Sequence, residues 1–250
     1  MYFSKKLDQF KGVRHCFFSR KNGFSKGKYK GLNCGRGSKD NQKTIQKNLR
    51  YVAKKMNVKK NNLILMHQTH SNRAIEIKKT NLKTKKYSDA IFTKLRGYAL
   101  GVVTADCVPI LIYDKKNKVI GCIHAGWRGA FSGVIKNTVS KIKKLSSNND
   151  IHASIGPCIG KTNYEVDLSF FEKFIKKSER YKQYFSYKSP KKKLFNLRKF
   201  VADQLLELKV RIDHVNHDTF KEKDNFFSFR RSVILKENDY GRCISAISLI

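Results

Sequence analysis

Proline is scarce, with three in 250 residues, and no Gly/Ser-rich linker or internal repeat divides the chain. A length of 250 residues fits one large domain or two small ones. We take 1–250 as one domain. No run reaches the roughly 18 apolar residues that a membrane-spanning helix needs, so no membrane association is expected. The N-terminus MYFSKKLDQF has no apolar h-region, so no secretory signal is expected. The six cysteines (16, 34, 107, 122, 158 and 243) include no CxxC pair. They are expected to be reduced thiols of a cytoplasmic protein, not a disulfide frame. Neither GxGxxG nor a Walker loop is present, which excludes the usual dinucleotide and ATP sites.

Acids are also few: 19 against 54 Lys and Arg, a formal net charge of +35. Charge of this size suits a polyanion partner. The lysines are spread along the whole length, however, and the longest run is Lys191-Lys192-Lys193. No basic arm and no Arg/aromatic alternation of the single-strand-binding kind is present. Nucleic acid is therefore not the expected partner. The positive field should instead draw in small anionic substrates.

Apolar patterning predicts strands over 13–18, 62–66, 73–77, 98–104, 109–113, 119–124, 151–155, 226–229 and 244–249. Helical spacing marks 41–57, a helix after Gly129 running through Leu145, and one over 197–208. Ser169 and Glu172 have capping-box spacing ahead of a short helix. The segment 182–193 is the candidate mobile loop. The expected fold is α/β, a single-domain layered sandwich of mixed sheets flanked by helices, not a doubly wound parallel fold.

Chemistry concentrates in Thr104–Gly129. Two apolar runs flank the polar DKKNK, and a hairpin with its turn centre near Lys115–Lys116 sets Cys107 opposite His124 within one residue. Paired side chains in such a ladder stand about 4.5–5.5 Å apart at Cβ, a separation that suits two ligands of one zinc. A third ligand is offered by His67 or His70 in MHQTHSNR, after a predicted strand. Cys122 and Cys243 sit inside apolar runs and read as core.

ADCVP at 105–109 and HAGWRG at 124–129 are accompanied by QTH at 68–70, IGPCIG at 155–160, YEV at 164–166 and FFSFRR at 226–231. With GLN at 31–33 and NLR at 48–50, this set resembles the YfiH family, also called the polyphenol-oxidase or laccase-domain family. The resemblance covers nearly the whole chain. It implies a compact layered α/β fold with zinc on His70, Cys107 and His124. It implies phosphorolysis of purine nucleosides, namely adenosine, inosine or guanosine, and methylthioadenosine. Adenosine deamination and a link to peptidoglycan editing are also attached to the family. The chain departs from the family pattern at Asp218-Thr219, where a Cys-Thr pair is usual; His217 or Asp218 is the candidate polar substitute.

For such a reaction the partners are a purine nucleoside and phosphate. Forked guanidinium donors suit phosphate; Arg128, four residues from a ligand, is the first candidate, with Arg50 and Arg230 behind it. Phe131 or Phe229 would stack on the purine. His67, Asp106 and Asp218 are the candidates for the proton donor, and His67 is alternatively a group that orients the site. Copper is the alternative metal, since His₂Cys sets also hold it. Seven histidines and no HxH do not supply a multicopper centre. A cytidine-type deaminase is excluded because HxE and PCxxC are missing. A metal-free Cys107–His124 hydrolase is the remaining enzyme class.

Overall fold

The computed structural model describes residues 1–250. A six-stranded mixed sheet runs in the order Arg211–His214, Ile151–Ile155, Val108–Asp114, Val119–Ala125, Ala90–Thr93, Ala74–Glu76. A four-stranded sheet runs Val13–Phe17, Cys243–Leu249, Ala99–Thr104, Leu63–Leu65. Each is antiparallel except at an edge: the outer pairs of the first sheet and the Leu63–Leu65 pair of the second are parallel.

These sheets pack face to face between helices, which is the layered α/β sandwich expected. Strand alternation makes this possible. Ile110 and Ile112 of Val108–Asp114 point into a core with helices Val134–Lys143, Leu168–Lys177 and Leu197–Glu207. Leu111 and Tyr113, one residue out of phase, enter the inter-sheet core with Phe17, Leu100, Val102 and Ile247. The outer face of the four-stranded sheet receives Ile45, Leu49, Val52 and Ala53 of helix Gln42–Lys55. A third sheet, Phe185–Ser189, Lys192–Phe195 and Glu165–Asp167, lies against helix Leu168–Lys177.

Several local expectations change. The hairpin register pairs His124 with Pro109, two residues from the predicted Cys107. Asp114 already pairs with Val119, so the turn centre falls between Lys116 and Asn117. The helix after Gly129 is two helices, Trp127–Ser132 and Val134–Lys143, because Gly133 takes φ +94° and breaks the run. The segment 226–229 is not a strand. Phe226 and Phe227 are buried beside Cys243, and Ser228 Oγ caps a helix Phe229–Ile234 by accepting from Arg231 N. The short helix starts at Leu168 behind Asp167, so Ser169 lies inside it and caps nothing. Much of 182–193 is ordered as strands of the third sheet. No helix is long and apolar enough to cross a membrane.

Candidate metal centre

Three chain segments meet at one end of the central strands of the six-stranded sheet. His124 lies near the end of Val119–Ala125, and Cys107 immediately precedes Val108–Asp114. His70 sits in the loop that leaves the four-stranded sheet after Leu65 and enters the six-stranded sheet at Ala74. Gln68 anchors this loop, pairing both ends of its amide with Val103 N (3.0 Å) and Val103 O (2.8 Å). One ligand atom from each of His70, Cys107 and His124 lies within 4.8 Å of the others. The two imidazole rings meet edge to face at 4.7 Å between centroids. The observed register explains how Cys107 fits. Gly126 stands across from it, and a Cβ there would fall 2.9 Å from Cys107 Sγ and 3.0 Å from His70 Cδ2. A thiol and two imidazoles converging on a point left clear by a glycine fit a soft or borderline divalent metal.

A residue the sequence did not flag organises the cluster. Asp89, with no exposed surface, precedes strand Ala90–Thr93. Its Oδ1 pairs with His124 Nδ1 at 2.8 Å and accepts from His70 N at 3.0 Å. Its Oδ2 accepts from Ser71 N (2.6 Å) and Ser71 Oγ (2.7 Å). Holding Nδ1 of His124 turns Nε2 toward the cluster, as a carboxylate behind a metal-binding His does. Burial pushes the Asp89 carboxyl up, but His124 and Ser71 outweigh it and hold it well below the usual carboxylate range. Burial also pushes the Cys107 thiol up, yet the adjoining His124 and His70 bring it down to about 6. Burial disfavours the His124 imidazolium, but Cys107 and Asp89 raise it to about 9. Each group thus favours the charged form of the other, Cys107 toward thiolate and His124 toward imidazolium.

His70 and Cys107 form part of the wall of two cavities. The larger, about 850 Å³, also receives His124 and His67. The smaller, about 360 Å³, is walled by Trp127, Tyr164, Phe170 and Phe229, with Arg128, Arg230 and Asp106. Arg128 lies over Trp127 at 5.0 Å, and its side chain donates to no group in the chain. Arg230 lies over Tyr164 at 5.6 Å and donates to Glu165 O at 2.8 Å.

Of the residues expected at the site, His70, Cys107, His124, Arg128, Arg230, Phe229, Asp106 and His67 line these cavities. Arg50 and Phe131 line neither. Arg50 is on the exposed side of helix Gln42–Lys55, whose other face is buried. Phe131 packs on Phe174 at 4.6 Å under Lys177, inside an aromatic cluster. Asp106 is at the site but occupied: Oδ1 accepts from Thr219 Oγ1 (2.7 Å), and Oδ2 from Ser228 Oγ (2.8 Å) and Arg230 N (2.7 Å). It braces the segment that carries Phe229 and Arg230, with both oxygens engaged by donors of the chain. Asp218 and His217 line neither cavity: Asp218 accepts from Asn163 Nδ2 (2.6 Å) and His217 pairs with Glu222 (2.9 Å). Tyr164 belongs to the YEV motif, which flagged the position without giving it a role.

Over residues 14–250 the chain matches the model of a family described as multi-copper polyphenol oxidoreductase laccase. It is 32% identical over 237 residues to a purine nucleoside phosphorylase of Haemophilus influenzae, with 93% of each chain covered. It is 29% identical over 241 residues to purine nucleoside phosphorylase YfiH of Escherichia coli, covering 96% of this chain and 95% of that one. A Neisseria meningitidis protein of known crystal structure superposes with a TM-score of 0.85 at 28% identity, over 96% of this chain and 95% of that one.

Proposed function

Since the chain belongs to the multi-copper polyphenol oxidoreductase laccase family and its relatives include proteins named as purine nucleoside phosphorylases, we propose that it is a zinc-dependent purine nucleoside phosphorylase. Its substrates in this reading are adenosine, inosine or guanosine, and methylthioadenosine, and residues 1–250 act as one catalytic domain. The observation that carries the reading is the His70–Cys107–His124 cluster, of which His70 and Cys107 lie in the wall shared by an aromatic cavity and a larger one.

Zinc held by these three donors supplies Lewis acidity toward a substrate oxygen. The chain supplies the rest. Trp127, Tyr164, Phe170 and Phe229 offer faces and edges against which a purine packs. Arg128, with no acceptor in the chain, meets phosphate as a fork of donors. Phosphate attacks C1′ while the C1′–N9 bond breaks and its electron pair passes to the purine, through an oxocarbenium-like transition state. The departing base takes up a proton. His67 is the candidate donor that keeps its ring nitrogens free of partners in the chain, with its ring against Tyr87 at 4.9 Å. Six unpaired thiols suit a reducing compartment, and we assign the enzyme to the cytoplasm.

The donor set supports one second reading, a single copper centre. Purified protein and its His124→Ala variant would be assayed for zinc and copper, and adenosine followed with and without phosphate. Stoichiometric zinc with phosphate-dependent adenine release, both lost in the variant, supports the phosphorylase. Inosine as product moves the assignment to deamination, and stoichiometric copper moves it to the oxidase. Turnover that survives removal of metal favours the Cys107–His124 hydrolase.

A further inference from the structure

The larger cavity contains a built loop to which the reaction as drawn above gives no role. Asn33, fully buried, holds it from behind. Asn33 Oδ1 accepts from Gly35 N (3.0 Å) and Arg242 N (2.9 Å), and its Nδ2 donates to Ser38 Oγ (3.0 Å) and Asp40 (2.9 Å). Cys34 N donates to Arg242 O at 3.0 Å. The Arg242 side chain crosses directly over Gly35, where a Cβ would stand 2.9 Å from Arg242 Cδ. Its guanidinium lies 4.2 Å over Tyr240 and donates to Tyr240 O at 3.2 Å. The Arg36 guanidinium donates to nothing in the chain and is exposed to solvent. The backbone N–H groups of Arg36 and Gly37 also lack an acceptor in the chain.

The charge at this wall is uncompensated. No Asp or Glu lines the cavity. The acids beside the loop are turned away: Asp40 accepts from Ser25 Oγ (2.7 Å) and Asn33, and Asp239 from Tyr29 OH (2.6 Å) and Lys39 N (2.7 Å). Two guanidinium groups on a braced backbone, with two adjacent amide donors free, match the charge and hydrogen-bonding needs of a phosphate group.

We propose that Gly35–Gly37 and Arg242 form a phosphate-binding site in the cavity whose wall also carries His70, Cys107 and His124. The phosphate has two sources: the inorganic co-substrate, which this site would then hold in place of Arg128, and the 5′-phosphate of a purine nucleotide. Only the choice of these two rests on the phosphorylase reading.

Calorimetric titration of the metal-loaded protein with inorganic phosphate, AMP and adenosine at about 0.15 M salt tests the site, alongside Arg36→Ala and Arg36→Lys. Arg36 is solvent-facing, and a thermal melt checks each variant's fold. Loss of one charged hydrogen-bond donor should weaken the phosphate ligand roughly tenfold or more in Arg36→Ala, less in Arg36→Lys, and leave adenosine unchanged. Weakened inorganic phosphate identifies the co-substrate. Loss only of the advantage of AMP over adenosine identifies the nucleotide. Equal binding of both anions to parent and Arg36→Ala, or no binding of either to the parent, overturns the site. Absence of adenine release from adenosine would sink the phosphorylase reading while leaving these binding results intact.

Discussion

Replacing Asp89 with Asn tests the centre at its least accessible point. The carboxylate has no exposed surface, and its partners are all donors: His124 Nδ1, His70 N, Ser71 N and Oγ, and Thr69 N and Oγ1. The asparagine amide keeps the shape, but in either orientation its NH₂ faces donors. Breaking a buried charged pair of this type costs about 3 kcal/mol or more. For a chain of this size that corresponds to a fall in Tm of roughly 6–12 °C. Freed from Asp89, His124 can turn or change tautomer, which should weaken metal binding roughly 10–100-fold. A competition titration against a chromogenic chelator reads the affinity, and calorimetric melts with and without metal read the stability.

The pH dependence adds a check on sign. The Asp89 carboxyl is held below its ordinary value. Its stabilisation is therefore full above the unfolded value of about 3.9 and is lost as pH falls through the folded one. The gap in stability between parent and Asp89→Asn should persist from neutral pH down to about pH 4 and close only in stronger acid. A variant that binds metal as tightly as the parent and melts within about 2 °C of it refutes the reasoning.

Gly126→Ala should lose the metal, since its methyl would enter the space of Cys107 Sγ and His70; normal metal content would show that the ligands can move aside. Since His124 lowers the Cys107 thiol and Cys107 and Asp89 raise the His124 imidazolium, the free pair shares one proton near neutrality, and metal requires a neutral imidazole. Metal binding near pH 7.5 should release about one proton from this pair, read by calorimetry in buffers of different ionisation enthalpy, and zero release would contradict the assignment. Arg128→Ala should raise KM for phosphate roughly 10–100-fold with metal content unchanged; an unaltered KM would remove Arg128 from phosphate binding. Tyr164→Ala should weaken nucleoside binding and leave phosphate binding intact, whereas equal loss of both would point to collapse of the cavity wall.

Features carried by local pattern were legible in the sequence. Continuous apolar runs announced the central strands, and the motifs around Cys107, His124 and His70 announced the residues that cluster. The hairpin register was two residues off because the turn signal in DKKNK does not say which polar residue closes the ladder, and Lys118 takes a left-handed φ of 51° that no Gly or Asn marks. Gly126 looked like part of a motif, and its use as a clearance for Sγ emerges only once the register is known. Asp89 gave no signal at all: a lone acid before a short apolar run has the same local appearance whether it caps a turn or holds a metal ligand. Phe131 fell to the opposite ambiguity, since an aromatic near a site serves a core as readily as a substrate.

Two buried carboxylates explain why the centre forms where the sheets meet. His70 has φ 58° and Asp106 has φ 81°, conformations that cost a non-glycine residue about 1–3 kcal/mol each. Asp89 offsets the first by accepting His70 N while also fixing His124, so one side chain joins ligands from two segments. At Asp106 the strained backbone turns the carboxylate toward Thr219, Ser228 and Arg230 and leaves the next residue, Cys107, to face the imidazoles. Cys107 and the aromatic cavity wall are thereby fastened to the same residue. A change that relaxes Asp106 should therefore disturb nucleoside binding and metal retention together, although Asp106 itself need touch neither.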